Sequence, residues 1–110
     1  MGLDQFGFAR KGEETIEVAC WRKHANLQGW MERLWAKRTG GSASDFNCKE
    51  LVLTVEDLTQ LESDYKSLER ASGFFWGESE PEDDDLTKSF IAEAKKYMND
   101  GYEVYYYCWW

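Results

Sequence analysis

The residues of this chain that could do chemistry are concentrated between Cys20 and Met31. That segment reads CWRKHANLQGWM and gathers Arg22, Lys23 and Asn26 where a strand ends and a helix begins. Backbone N–H groups point outward at a helix N-terminus, so such a corner can hold a carboxylate or a phosphate. The alternative is that Asn26 caps the helix beside two solvated basic side chains, and we favour this interpretation because clustered polar residues at helix starts are common for capping alone.

Aromatic side chains form the second group of candidates. The sequence has six Trp, six Tyr and six Phe among 110 residues. Each large ring buries roughly 150–250 Å², so a dozen of them would supply much of a small core. We expect several of the others to remain near the surface. The candidate binding residues, aromatic and polar together, are Trp21, Arg22, Lys23, Asn26, Trp30, Trp76, Trp109 and Trp110.

Two aromatic segments leave their burial open. The loop SGFFWG at 72–77 predicts that Phe74 and Phe75 enter the core, while Trp76 is equally compatible with burial and exposure. The segment YEVYYYCWW at 102–110 is typical of a strand, whose alternate side chains face opposite sides. One side can join the core. The other is an exposed aromatic strip unless something covers it, and a central strand covered on both sides is the alternative.

Catalysis and metal binding have little support. The only histidine, His24, has no nucleophile motif near it, and the GxSxG, GxxxxGK[ST], HExxH and GxGxxG patterns do not occur. Cys20, His24, Cys48 and Cys108 could form a zinc site in space, but no CxxC supports one. The acidic run at 78–85 lacks calcium-loop spacing and is typical of a solvated loop. We therefore predict no catalytic residues, no metal ligands and no cofactor.

The charge distribution narrows the class of partner. The net charge is −8: residues 1–48 carry seven basic and six acidic side chains, and residues 49–110 carry six and fifteen. An acidic surface repels nucleic acid and anionic lipid, so we expect neither direct nucleic-acid binding nor membrane association. No apolar run approaches the roughly 20 residues that span a bilayer, and no secretion signal is recognisable. We expect free thiols in a reducing compartment.

The hydrophobic patterns predict a single α+β domain over residues 1–110, with elements in the order ββαβααβ. The predicted strands are 2–10, 14–21, 49–54 and 102–110, the first two forming a hairpin. The predicted helices are 24–38, a second one capped by Thr54 with Asp57, and 84–99. We expect one mostly antiparallel four-stranded sheet with the helices packed on one face.

Side-chain orientations follow from the same patterns. Alternation places Ile16, Val18 and Cys20 on one face of the second strand. Helical spacing predicts an inward stripe on each of the three helices. The stripes are Leu27, Trp30, Met31, Leu34 and Trp35 on the first helix, Val55, Leu58, Leu61, Tyr65 and Leu68 on the second, and Leu86, Phe90, Ala94 and Tyr97 on the third.

Six short segments, taken in order along the chain, form a distinctive combination. They are MGLDQF at 1–6, WRKHANLQGWMERLW at 21–35, FNC at 46–48, LTVEDL at 53–58, SGFFWG at 72–77 and GYEVYYYCWW at 101–110. Together they resemble a family of small proteins encoded by tailed bacteriophages. The resemblance covers nearly the whole chain and implies a phage protein in the cytoplasm of an infected bacterial host. It implies no particular activity, and the chain departs from the family pattern at Ala25 and Cys108, where members carry Pro and Ser.

These observations favour a non-enzymatic phage accessory protein that binds a host or phage protein. The expected contacts are Trp76, Trp109, Trp110 and the Arg22–Lys23 corner, since Trp is enriched at interface hot spots. One alternative is an acidic mimic that occupies the nucleic-acid groove of a host enzyme. Another is a small anionic-ligand-binding protein or enzyme that uses the corner of Arg22, Lys23 and Asn26. A homodimer is a further possibility.

Overall fold

Within residues 2–73 and 76–110, which the computed structural model describes, the chain forms four strands and three α-helices. The strands are β1 (Asp4–Lys11), β2 (Glu14–Arg22), β3 (Glu50–Leu53) and β4 (Glu103–Trp109), and the helices are α1 (Ala25–Thr39), α2 (Val55–Asp64) and α3 (Glu82–Asn99). The predicted α+β class and the order ββαβααβ are confirmed. The predicted burial of Phe74 and Phe75 lies outside the described residues.

One short helical turn was not predicted. A single 3-10 turn at Ala43–Phe46 precedes β3.

Across the described part of the chain, no helix has both the length and the apolar character needed to traverse a membrane.

The four strands form one antiparallel sheet in the order β2-β1-β4-β3. Gly12, with φ 61°, turns β1 into β2, in the left-handed region that glycine adopts without strain. β4 inserts between β1 and β3, so β1 and β4 are the central strands. Their register places Phe6 opposite Tyr107 and Phe8 opposite Tyr105. The two aromatic pairs therefore share one face of the sheet.

A β-bulge changes the predicted orientation of side chains on β2. The register between β1 and β2 shifts at Val18, which is an extra residue on β2. Such an insertion resets the alternation of side chains along the strand. Ile16 and Cys20 therefore lie on opposite faces, and the prediction that they share a face with Val18 is wrong.

The helices pack on one face of the sheet and form the core with it. On α3, the Phe90 ring lies against Gly7 of β1, and Thr87 accepts a hydrogen bond from Trp21 Nε1 of β2 at 3.1 Å. α2 packs against α3 and contributes two buried leucines. The largest side chains with less than 2% exposure are Leu3, Gln5, Trp21, Leu27, Gln28, Met31, Phe46, Leu58, Leu61, Phe90, Ile91 and Tyr106.

The helix stripes are confirmed only in part. Thr54 caps α2 as predicted, by accepting the Asp57 N–H at 3.1 Å, but Val55 is 54% exposed. On α3, Phe90 and Ala94 are buried, whereas Leu86 is 43% exposed and the polar Thr87 is buried in its place. The prediction for Leu86 is wrong because the Thr87 hydroxyl donates to the backbone of its own helix and accepts from Trp21, so it is satisfied inside the core.

A chain of buried hydrogen bonds joins α1 to the two central strands. The Tyr106 hydroxyl donates to Gln28 Oε1 at 2.5 Å and accepts from Gln5 Nε2 at 2.8 Å. Gln5 Oε1 accepts the His24 N–H at 2.8 Å, and Gln28 Nε2 donates to Cys108 Sγ at 3.4 Å. Burial raises the pKa of Tyr106 well above its usual range and that of Cys108 to about 12. Both groups therefore remain neutral donors at physiological pH.

Tyr106→Phe is expected to lower the free energy of unfolding by about 1–3 kcal/mol, because it leaves buried amide groups of Gln5 and Gln28 without a partner. Urea denaturation measures the loss. The matched control is Tyr105→Phe, on the opposite face, with an expected change within about 0.5 kcal/mol. Equal effects of the two substitutions would contradict the assigned network.

Gly7→Ala is expected to destabilise the protein by about 1–3 kcal/mol, because the added Cβ overlaps the buried Phe90 ring. Without that ring, alanine would favour the strand over glycine by about 0.5–1 kcal/mol. The same denaturation experiment in a Phe90→Leu background should show a smaller penalty for Gly7→Ala. A more stable Gly7→Ala variant in the wild-type background would refute the packing described.

Candidate functional site

The sheet face opposite the helices carries aromatic side chains from both central strands. We call it the open face and define it by Phe6, Phe8, Val52, Tyr105, Tyr107 and Trp109. Phe6 and Phe8 stack with ring centroids 5.6 Å apart, and Phe8 lies 5.4 Å from Tyr105. Because neighbouring rings shield one another, Phe6 and Phe8 are half-buried rather than fully exposed. Trp109 and Val52 are 57% and 41% exposed. The face is only in part the exposed aromatic strip: the Trp109 ring is exposed, whereas the other rings are half-buried or buried.

A charged cluster borders the middle of the open face. The Arg10 guanidinium lies 4.3 Å above the Tyr105 ring and pairs with Glu50 at 2.9 Å and Glu103 at 2.5 Å. The two carboxylates raise the pKa of Arg10 through hydrogen bonds. Tyr105 is 7% exposed as a result, so this part of the face is already covered by a side chain of the same sheet.

One end of the open face forms a pocket. Arg22, Asp4 and Trp109 lie side by side across β2, β1 and β4. With Gly2 and Trp110 they line a cavity of about 220 Å³, which we call the Trp109–Trp110 pocket. Arg22 Nε is 3.9 Å from Asp4 Oδ1. The pocket is smaller than the roughly 300–1,000 Å³ of typical ligand sites, and its size suits a single side chain.

Trp110 is held in place from two sides. Asn47 Nδ2 donates to the Trp110 carbonyl and Asn47 Oδ1 accepts the Trp110 N–H, both at 3.0 Å. The Trp76 ring meets the Trp110 ring edge-on at 5.8 Å. Trp76 is 4% exposed, so its prediction as a surface contact is wrong. It supports the pocket from behind, because a ring within a loop of two glycines can fold back onto the core.

The other predicted contacts do not join this pocket. Trp21 is 1% exposed and belongs to the core, so its predicted role as a binding residue is wrong. Trp30 Nε1 donates to Asp64 at 3.0 Å, and this indole lines a separate surface pocket. Lys23 is exposed, in the left-handed region with φ 57°. Of the predicted corner, Arg22 lines the Trp109–Trp110 pocket, whereas Asn26 lines a separate pocket. The corner is therefore not one site.

The N-terminus of α1 is capped from a distant loop. Asn26 N–H donates to Ser79 Oγ at 2.9 Å, and Asn26 Oδ1 accepts the Ala71 N–H at 3.0 Å. The prediction that Asn26 caps α1 is therefore wrong, since the capping hydroxyl comes from 53 residues further along the chain. A group of the protein itself occupies the place proposed for an anion.

His24 lies at the same helix start and contacts a serine that sequence analysis missed. Its Nδ1 is 2.6 Å from Ser79 Oγ and 3.6 Å from Asp83 Oδ2, and the residue is 2% exposed. Burial lowers the pKa of His24, while Asp83 and Asp84 oppose that shift. The separation of 55 residues explains why no local motif revealed the pair.

A serine beside a histidine resembles an activated nucleophile, but the geometry here differs from that arrangement. A catalytic histidine uses one ring nitrogen for the nucleophile and the other for an orienting group. In His24 the serine and the carboxylate both approach Nδ1, and Nε2 has no hydrogen-bond partner among the described residues. Ser79 also accepts from Asn26. These contacts tie the loop to α1 and give no reason to assign catalysis.

All three cysteines are free thiols, although the Cys48 N–H donates to the Cys108 carbonyl at 2.9 Å. Cys20 is exposed on β2, Cys48 is exposed before β3, and Cys108 is buried in the hydrogen-bond chain. Over residues 2–73 and 76–110 there is no group of three or more His, Cys, Asp or Glu side chains that could hold a metal ion.

Acidification below the usual histidine pKa of about 6.5 is expected to destabilise the protein. The folded-state pKa of His24 lies below the unfolded value. The unfolded state therefore binds more protons as the pH falls, and the stabilisation present above about 6.5 is lost towards the folded-state pKa. The loss amounts to about 1.4 kcal/mol per unit of pKa depression.

Urea denaturation between about pH 7.5 and pH 5 measures this effect, and His24→Gln is the control. Since the chain has one histidine, the variant should show a flatter dependence than the wild type. Parallel curves for the two proteins would show that His24 is not the titrating group.

No family model, no curated protein and no solved structure matches this chain.

Proposed function

We propose that this protein is a non-enzymatic interaction module that binds another protein through the open face. The observation that carries the proposal is the one-sided packing of the sheet: the helices lie on one face, and the other presents aromatic rings. Clustered aromatic side chains at a surface are typical of interface hot spots. Trp109, the most exposed of these rings, is the expected anchor.

The edges of the sheet favour contact through the face rather than through an added strand. β2 is bulged and presents exposed Glu14 and Glu17, and both features discourage edge pairing. β3 is only four residues long, and Arg38 donates to its Val52 carbonyl at 2.7 Å. Strand addition at either edge would have to displace or bypass these groups.

The bacteriophage resemblance supports a host or phage protein as the partner, in the cytoplasm of an infected bacterium. The net charge of −8 argues against direct nucleic-acid binding and against attachment to an anionic membrane. A second copy of the chain remains an alternative occupant of the open face, and the binding experiment below distinguishes it.

The other two functions have weaker support. A nucleic-acid mimic needs rows of free carboxylates, yet Glu50 and Glu103 pair with Arg10, Asp57 pairs with Arg38, and Asp83 is buried. An anionic-ligand site at the start of α1 competes with Ser79, which already accepts the Asn26 N–H. Neither alternative accounts for the aromatic open face.

Trp109→Ala is expected to weaken binding at least tenfold, because truncation of an aromatic hot spot costs about 2 kcal/mol or more. Affinity capture from infected-cell lysate identifies the partner, and calorimetry with the purified pair measures the dissociation constant. The matched control is Leu86→Ala, which removes a 43% exposed side chain from the helical side.

The control should bind like the wild type, and both variants should keep the wild-type melting temperature. The proposal is wrong if no partner is recovered in stoichiometric amount, or if Trp109→Ala binds the partner as well as the wild type does. Sedimentation of the purified chain detects self-association, and a dimer lost in Trp109→Ala would assign the open face to a second copy instead.

A further inference from the structure

We infer that the Trp109–Trp110 pocket accepts a cationic side chain, arginine or lysine, from the partner protein. The inference deepens the proposed function and rests on it, since the pocket lies at one end of the open face. It names the chemistry of the partner: a basic segment that inserts one long side chain between two indoles and a carboxylate.

The lining of the pocket has the chemistry of a cation site. An indole is the aromatic ring that attracts cations best, and Trp109 and Trp110 are both present. Asp4 supplies a carboxylate between them and Arg22. The cation–π contacts within the described residues lie on tyrosine rings, at Tyr65, Tyr102 and Tyr105. The indoles of the pocket are not among them, so these rings remain for a cation from outside.

Arg22 marks the place that the incoming cation would take. Its guanidinium is 3.9 Å from Asp4, beyond normal hydrogen-bond length, and its side chain is 69% exposed. A pair this exposed contributes little, so its guanidinium can swing into solvent at small cost. A partner arginine that also contacts the indoles would make more interactions with Asp4 than Arg22 does.

The walls of the pocket are set before a ligand arrives. Asp4 and Trp109 are paired residues on adjacent central strands, which fixes their spacing. Trp110 is held by the paired hydrogen bonds of Asn47 and by the buried Trp76 ring. Because little ordering remains to be done on binding, a single inserted side chain can gain useful affinity.

The overall charge supports a basic partner rather than an acidic one. The chain carries a net charge of −8, and an acidic surface attracts basic segments and repels acidic ones. An anion at Arg22 would have to approach Asp4 at the same time. The cavity of about 220 Å³ further restricts the occupant to one extended side chain.

Titration of the full-length chain with small probes, followed by the indole Nε1–H resonances in ¹⁵N NMR spectra, tests the inference. N-acetyl-arginine methylamide and its lysine counterpart should shift the Trp109 and Trp110 resonances saturably, and the better of the two identifies the preferred cation. The citrulline derivative, a neutral isostere of the arginine probe, should leave both resonances in place.

Two substitutions with opposite expected signs make the test specific. Asp4→Asn should weaken the arginine probe about fivefold, as expected for loss of an exposed charge pair. Arg22→Gln should strengthen it, because the internal competitor is gone. The control is Asp85→Asn, which removes an exposed carboxylate from α3 and should leave the affinity unchanged.

The inference is overturned if neither cation shifts the two indoles, or if acetate shifts them and Arg22→Gln abolishes that response. Measurements of partner binding distinguish failure of this inference from failure of the proposed function. If Asp4→Asn leaves partner binding intact while Trp109→Ala removes it, the open face is the interface and the pocket does not take a cation. If the probes bind as expected but Trp109→Ala leaves partner binding intact, the open-face proposal fails.

Discussion

The Tyr106 hydroxyl is the interaction on which the rest of the structure depends. It lies inside the core with no exposure, so it must find partners there, and it finds them in Gln28 of α1 and Gln5 of β1. Since an unmatched buried amide is costly, these three side chains fix the position of α1 relative to the two central strands. This constraint commits one face of the sheet to the helices and leaves the other without them.

The candidate site follows from that commitment. Because side chains alternate along β4, the strand that buries Tyr106 and Cys108 must turn Tyr105, Tyr107 and Trp109 to the opposite face. One strand thus supplies both the polar centre of the core and the aromatic rings of the open face. The core does not need the rings of the open face, because Trp21, Phe46, Phe90 and the leucines already fill the helical side.

The loop before α3 brings together polar side chains of the kinds found in active sites, but their contacts stabilise the fold. Ser79 caps α1 and contacts His24, and Asp83 accepts the Glu80 N–H at 2.8 Å at the start of α3. These polar groups therefore satisfy backbone N–H groups at the starts of α1 and α3. The same loop presents Trp76 to Trp110, so the order of the loop and the shape of the Trp109–Trp110 pocket are linked.

The sequence by itself determined the elements, their order and the Thr54 cap, because hydrophobic period, capping residues and glycine turns are local signals. It left open whether the aromatic side of β4 is exposed or covered. Only the tertiary structure decided that Trp76 and Trp21 are buried, that Ser79 rather than Asn26 caps α1, and that Asp4 lies beside Trp109. Those outcomes depend on contacts between residues up to about a hundred positions apart, and strand order and bulges, which set such contacts, leave no periodic trace in the chain.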